Sequence, residues 1–360
     1  MKKYQTTAKY KIKNIKHALK RAKREQKSKL KRKFKRKGLL GKSRVQRKQN
    51  NAVSKYTKIS APINFSFIDD PESTIKFLIK LENLYLKGRS VFVDLNDLKS
   101  LDHSAVTVLV SVMFSFKSRS IPFNGNFPKK KELAQKLINS GFFKYLGKPI
   151  GNKIEYSIGK ENQIFARANK EVNSELGLIV MAEASSTIWG TNRICKGLQR
   201  TLLELMQNTN NHADLTEKGA KHWWLSVNHN KENKSVSFYF VDYGIGIFES
   251  LKSKPAKNKW FGWLEKIKTK LVHGSDDEIL ELLLNGDMHM TVTGHHFRGK
   301  GLPGIKEVQD RNQISNLKII SNNVFADVTK SNYYRLSNEF SGTFVTWELN
   351  EKNVNSSWII

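Results

Sequence analysis

From about residue 63 the chain alternates between short apolar runs and stretches in which apolar residues recur every three or four positions. Ile63, Phe65 and Phe67 alternate with other residues, which is typical of a half-buried strand. A helical period follows at residues 75–85, and the apolar run at residues 91–95 indicates a buried strand. This rhythm predicts an α/β (α+β) fold, in which helices cover a mixed or parallel sheet.

The buried strand is followed by a turn that leads into an apolar helix, which we expect to begin near Asp102 to Ser104. This strand, turn and helix resemble the central part of STAS domains, the fold of anti-anti-sigma factors. Residues 131–146 resemble the last helix of the same family. STAS domains carry an aspartate, one or two small hydroxyl residues and a glycine at the mouth of the helix. Ser104 matches the hydroxyl position, whereas His103 and Ala105 depart from the pattern.

In phosphorylated STAS domains the second hydroxyl is the phosphate acceptor, so the resemblance makes Ser104 a candidate phosphoacceptor. The alternative is that Ser104 belongs to the cap of its helix, which is the common use of a serine at such a position.

A second helical period includes Ile194, Leu198, Leu202 and Leu205. Glu204 and Asn208 are four residues apart on this predicted helix and therefore share one polar face. A carboxylate and a carboxamide placed in this way can orient a water molecule and supply one oxygen ligand to Mg²⁺, which uses few protein ligands. The same spacing is also common on solvated helices.

A strand then leads directly into a glycine motif. Val236, Phe238 and Phe240 alternate, and residues 241–247 continue as Val-Asp-Tyr-Gly-Ile-Gly-Ile. An Asp-x-Gly-x-Gly motif at the end of a strand places an acceptor carboxylate at the sheet edge, before a backbone that can approach a ligand closely. The alternative is a structural turn in which Asp242 bonds its own backbone.

A third element follows at residues 298–305, which read Arg-Gly-Lys-Gly-Leu-Pro-Gly-Ile. Alternating glycines at the start of a helix leave backbone N–H groups free to bind phosphate, and the helix dipole adds to this attraction. Pro303 suits the first turn of a helix. A last strand, which we expect to begin at Gly342, carries Gly-Thr-Phe-Val.

In this order, the three motifs and the last strand resemble the ATP-binding domain of the GHKL superfamily over residues 194–349. This Bergerat fold is shared by histidine kinases, gyrase-type ATPases and anti-sigma-factor kinases. The resemblance implies Mg²⁺ ligation by Asn208, an adenine contact by Asp242 and a catalytic role for Glu204 on water or a hydroxyl. The further nucleotide-binding positions that it implies are Gly244, Gly246, Gly299, Lys300, Gly301, Leu302 and Thr343.

The charge of the chain is concentrated before the first apolar run. The net charge is +31, and residues 1–50 contain 22 of the 63 lysines and arginines against a single acid, Glu25. Such a segment repels itself and favours a polyanionic partner. It is predicted to be either disordered or a basic helix that ends near Gly38, with Ile12, Ile15 and Leu19 on one face. We expect nucleic acid as its partner, with anionic lipid as the alternative.

Other features of the composition bear on where in the cell the protein is expected to act. No apolar run approaches the roughly 20 residues that span a bilayer, and no secretory signal is recognisable, so we expect no transmembrane segment. The single cysteine, Cys195, cannot form an internal disulfide, which fits a cytoplasmic protein. The predicted parts are a polybasic arm (1–50), a STAS-like αβ domain (51–150), a connecting segment (151–190) and a GHKL domain (191–360).

These resemblances imply an ATP- and Mg²⁺-dependent regulatory protein, either an ATPase or a serine/threonine-type protein kinase like the anti-sigma-factor kinases. Its nucleotide state would control the STAS-like domain or a separate protein partner, and a homodimer remains open. Two alternatives remain. The first is a nucleic-acid-binding protein in which ATP acts only as a conformational switch, and the second is a nucleotide-sensing scaffold without turnover.

Overall fold

The structure, a computed structural model, describes residues 8–36, 56–140, 142, 155–158, 164–168, 172–212, 223–243, 246–247, 276–285, 301–353 and 358–359. The chain divides into two compact units, Met1–Tyr56 and Thr57–Ile360.

The first unit contains helix α1, which spans Ala8–Arg36. Of the two alternatives predicted for the arm, a basic helix and disorder, the structure contains the helix. It carries 15 lysines and arginines and one acid, Glu25. At 29 residues it is about 43 Å long. One apolar side chain of this helix, Ile15, is 60% exposed.

The second unit begins with a part that we call the N-terminal module, residues 57–140. Its elements are β1 (Thr57–Ser60), β2 (Asn64–Phe65), α2 (Pro71–Leu86), β3 (Val91–Asp94), β4 (Ser100–Leu101), α3 (His103–Ser118), β5 (Phe123–Gly125) and α4 (Lys131–Asn139). Strands β1, β3 and β5 form a parallel sheet in that order, and β2 pairs in parallel with β4.

Local sequence explains where the two long helices of the module begin. Asp70 caps α2 by accepting a hydrogen bond from Ser73 N, and Pro71 occupies the first turn. Asp102 caps α3 in the same way, accepting from Ala105 N. A side chain that binds a free N–H of the first turn stabilises a helix by about 1 kcal/mol. The predicted start of α3 is therefore confirmed.

The rest of the second unit is built on one six-stranded antiparallel sheet. Its strands, in chain order, are β6 (Glu155–Ile158), β7 (Ile164–Ala168), β9 (Trp223–Asn230), β10 (Ser235–Asp242), β11 (Ser315–Asp327) and β12 (Asn332–Asn350). Their order across the sheet is β11-β12-β10-β9-β7-β6. The accompanying helices are α5 (Ser174–Trp189), α6 (Lys196–His212), α7 (Asp276–Leu284) and α8 (Gly301–Asp310).

Several boundaries differ from the sequence-based expectations. Residues 151–190, expected to be a connection, supply β6, β7 and α5 to the sheet and its helix layer. Ile194 lies in a short strand, β8 (Ile194–Cys195), which pairs with β13 (Trp358–Ile359), so α6 starts only at Lys196. The last long strand, β12, begins ten residues before Gly342. The pairings of β7 with β9 and of β8 with β13 join strands that are distant in the chain, which local periodicity does not record.

The six-stranded sheet carries a hydrophobic core on each side. On the helix face, Phe238 and Phe240 of β10 pack with side chains of α5, α6, α7 and α8. On the module face, Tyr239 and Val241 of the same strand pack with residues of α2 and α3. Because neighbouring residues of a strand point to opposite faces, one strand serves both cores.

The predicted α/β class is confirmed at the level of a mixed α/β fold that contains parallel sheets. Across the described ranges, none of the helices combines the length and the apolarity that crossing a bilayer requires.

Candidate functional site

The candidate site is centred on Asp242, the last residue of β10. Its side chain is half-buried, and its Oδ1 atom is buried without a hydrogen-bond partner in the described part of the chain. Burial raises the pKa of Asp242 from 3.8 to about 7, although a hydrogen bond from Thr209 of α6 acts in the opposite direction. A buried acceptor of this kind costs about 1–3 kcal/mol when it is left unbonded.

Strand β12 brings Thr343 beside Asp242, since the two residues are directly paired between the strands. The residue before it, Gly342, has φ of +141°, and a Cβ placed there would lie 2.1 Å from the carbonyl oxygen of Asp242. Only glycine therefore allows β12 to approach the end of β10 so closely.

The backbone after Asp242 is held against β11. Gly246 has φ of +77°, and a Cβ at this position would lie 2.2 Å from the side-chain oxygen of Asn322. Ile247 N donates to Ser321 Oγ at 2.9 Å. The same hydroxyl lies 3.0 Å from the carbonyl oxygen of Gly342 and 3.2 Å from Thr343 Oγ1. Ser321 thus joins the loop and two strands around Asp242.

Helix α6 carries Glu204 and Asn208, and it meets this cluster through Thr209. Glu204 and Asn208 are both partly exposed on α6, and the adjacent Thr209 is buried and bonds Asp242. Glu204 Oε1 accepts from Arg200 Nε at 3.0 Å. Thr209 therefore links α6 to the end of β10.

Helix α8 begins at Gly301, and Pro303 lies in its first turn, so the predicted helix start is confirmed. Leu302 packs against the core on the helix face of the sheet. The helix contacts α6, and a Cβ at Gly304 would meet Thr201 Oγ1 at 3.9 Å, an ordinary contact distance. The described part of the third motif, residues 301–305, therefore belongs to a helix that contacts the one carrying Glu204 and Asn208. Gly244, Gly299 and Lys300 lie outside the described residues.

The other candidate, Ser104, lies in the N-terminal module and is fully buried. Its Oγ donates to Asp102 Oδ1 at 2.5 Å and accepts from Phe67 N at 2.8 Å. Ser66 donates to the second carboxylate oxygen of Asp102. In this arrangement Ser104 supports the start of α3, and a phosphoryl group could reach it only if the module opened.

Sequence reasoning missed Thr209, Ser321 and Tyr243, three residues that contact this site or its surroundings. Thr209 follows Asn208 directly, but its role depends on the packing of α6 against β10. Ser321 is distant in sequence and meets Thr343 only through the pairing of β11 with β12. Of the three, only Tyr243 could have been noticed in the sequence, because it occupies a variable position of the Asp-x-Gly-x-Gly motif.

No protein-family model matches the chain. A search of curated proteins likewise found no match. Any function must therefore be argued from the motifs and from the geometry.

Proposed function

We propose that the chain binds Mg-ATP in a GHKL-type site at the end of β10, with Asp242 as the residue that recognises the adenine base. The observation that carries this proposal is the buried Oδ1 of Asp242, which has no hydrogen-bond partner among the described residues. An exocyclic amino group is a donor of the kind that such an atom needs.

The backbone around Asp242 is closely packed. Glycines at 246 and 342 remove side chains where the backbone is most crowded, and Thr343 adds a second polar group beside the carboxylate. A donor on the ligand would satisfy Oδ1, the carboxylate atom that is buried without a partner in the described part of the chain. These features support an adenine contact better than the alternative of a self-contained turn.

The metal and phosphate contacts are assigned to the helices. Asn208 on α6 offers one oxygen ligand to Mg²⁺, which binds proteins through one or two side chains and completes its shell with water and phosphate oxygens. Within the described ranges, no group of three or more His, Cys, Asp or Glu side chains is arranged to hold a metal ion. The phosphates are assigned to the free N–H groups at the start of α8.

Bound ATP would supply a phosphoryl group for transfer to water or to a hydroxyl, so the proposed activity is that of an ATPase or a protein kinase. Glu204 lies one helical turn before Asn208 and is the candidate base that would take the proton of the attacking group. Its pairing with Arg200 holds one carboxylate oxygen in place. In a cytoplasmic regulatory protein, this turnover would control the STAS-like module or a protein partner.

Isothermal titration calorimetry of the full chain with ATP tests the proposal. We expect binding in the presence of Mg²⁺ and weaker binding with EDTA. Asn208→Ala should reduce the difference between the two conditions, whereas Gln207→Ala, an exposed neighbour on the same helix, should not. Equal heats with Mg²⁺ and with EDTA would contradict the metal assignment, and the absence of any heat would contradict the proposed function.

A second candidate function is favoured by helix α1. Fifteen bases on 29 residues give this helix a charge density that suits a nucleic-acid backbone. In this alternative the arm makes the functional contact, and ATP acts only as a conformational switch. A Glu204→Ala variant that matches the wild type in every nucleotide-dependent property would favour this alternative, or the sensor without turnover, over the enzyme.

A further inference from the structure

The two sides of β10 connect the proposed nucleotide site to the N-terminal module. Phe238, Phe240 and Asp242 face the helices, as the core contacts and the bond from Thr209 show. Tyr239 and Val241 face the module and belong to its core. Tyr243 continues the second series. The residue that follows the adenine-binding carboxylate therefore points into the module.

The hydroxyl of Tyr243 reaches the middle of α3. It lies 2.7 Å from Ser111 Oγ and 3.4 Å from the carbonyl oxygen of Val108. Ser111 Oγ itself donates to the same Val108 carbonyl at 2.6 Å. Because a serine hydroxyl has one proton to donate, Tyr243 is the donor in its bond with Ser111. The pair joins two elements that lie 132 residues apart in the chain.

Other contacts dock the module on the same face of the sheet. Phe67 meets Phe340 and Phe344 edge to face, with ring centroids 5.0 and 4.9 Å apart. At the edge of the contact, Glu72 of α2 accepts hydrogen bonds from Ser337 N at 2.6 Å and from Asn338 Nδ2 at 3.2 Å. A tightly packed interface of this kind does not deform gradually. It changes between discrete arrangements.

We propose that the docked N-terminal module is the regulatory partner of the nucleotide site, and that Tyr243 is the positioning residue that couples them through Ser111. This inference rests on the proposed function. The docked module fixes Tyr243, which fixes the backbone on which Asp242 is presented to the ligand. Since coupling is reciprocal, a nucleotide at Asp242 stabilises the docked module to the same extent.

Hydroxyl deletions on both sides of the bond, followed by titration with Mg-ATP, test the coupling. Tyr243→Phe keeps the ring against Phe340, and Ser111→Ala removes the acceptor. We expect each variant to bind ATP about 3- to 10-fold more weakly, the range that one hydrogen bond contributes. The double variant should be no weaker than the single ones, because both changes remove the same bond. Tyr239→Phe deletes a buried hydroxyl from the same face of β10 and is the matched control, expected within about twofold of the wild type.

Hydrogen exchange of the full wild-type chain provides a second measurement, which would not change with ATP if Tyr243 had only a structural role. Mg-ATP should slow the exchange of backbone amides in α3, and Tyr243→Phe should reduce this effect. If Tyr243→Phe and Ser111→Ala bind ATP as the wild type does, or if ATP leaves exchange in α3 unchanged, the coupling is wrong while the nucleotide site stands. If the wild type binds no ATP, the proposed function fails and the coupling fails with it.

Discussion

The buried carboxyl group of Asp242 lowers the free energy of unfolding above about pH 4. Its buried carboxyl group keeps its proton up to about pH 7, whereas in the unfolded chain it would lose the proton near pH 4. Between these values the folded state binds more protons than the unfolded state, so the free energy of unfolding falls as the pH rises. A residue retained at such a cost is typical of a functional site.

Replacing Asp242 by Asn removes the ionisable group and keeps a similar shape. We expect the variant to be more stable than the wild type by about 1–3 kcal/mol at pH 8, because no charge is buried, and to differ little at pH 4. Urea denaturation at the two pH values measures this difference. A variant that is less stable than the wild type at pH 8 would show that Asp242 is a structural carboxylate.

Glu204 is expected to act in turnover and to contribute little to binding. Glu204→Ala should bind Mg-ATP within a few fold of the wild type and lose turnover by about 10²- to 10⁴-fold, the usual contribution of a general base. Phosphate release and transfer of radiolabel to protein are the measurements. Glu307→Ala is the matched control, since Glu307 on α8 also pairs with an arginine four residues away, Arg311, which directly follows the helix. Equal losses in both variants would argue against a catalytic role.

Among the secondary-structure elements, those that local sequence determines are predicted best. The helix at residues 75–85 and the strand at residues 91–95 are confirmed as α2 and β3, because periodicity and caps lie within each segment. Asp242 and Gly246 were predicted from a motif whose residues are neighbours in the chain. The roles of Thr209 and Ser321 could not be predicted, because common residue types acquire them only when α6 and β11 pack beside β10.

Helix α1 is the element for which charge alone makes a prediction. Its bases should bind DNA or RNA without sequence preference, with an affinity that falls steeply as the salt concentration rises, because each phosphate contact releases a counterion. Fluorescence anisotropy with labelled duplexes and single strands at several salt concentrations measures this.

Deletion of residues 1–50 should abolish nucleic-acid binding and leave ATP affinity unchanged, since residues 57–360 form a compact unit without them. The prediction fails if the truncated protein binds nucleic acid as tightly as the full chain. It also fails if the full chain prefers anionic vesicles to nucleic acid at equal ionic strength.

For the whole of residues 57–360, the shared sheet predicts one cooperative unfolding transition. Trp223 belongs to the core on the helix face and Trp224 to the core on the module face, so neither core can unfold without disturbing the same strands. We expect tryptophan fluorescence and circular dichroism to report coincident transitions.

Phe344→Ala should lower the midpoint of that single transition by removing a fully buried ring from the module face, at a cost of about 3–5 kcal/mol. Tyr334→Ala on the same strand is the control, because its ring is 38% exposed. Two separate transitions in the wild type, or a loss confined to one of them in Phe344→Ala, would mean that the module and the sheet unfold independently.

The most direct test of the central claim is the affinity of Asp242→Asn for Mg-ATP, measured by calorimetry at pH 8 beside the wild type. Asn presents an amino group as well as a carbonyl oxygen, so it loses the charged acceptor that the adenine amino group would meet. Asp97→Asn, an exposed carboxylate paired with Lys129, is the control and should bind as the wild type does. We predict that Asp242→Asn binds at least about tenfold more weakly, the loss expected for a hydrogen bond to a charged group. Equal affinity in the wild type and in Asp242→Asn would contradict the account.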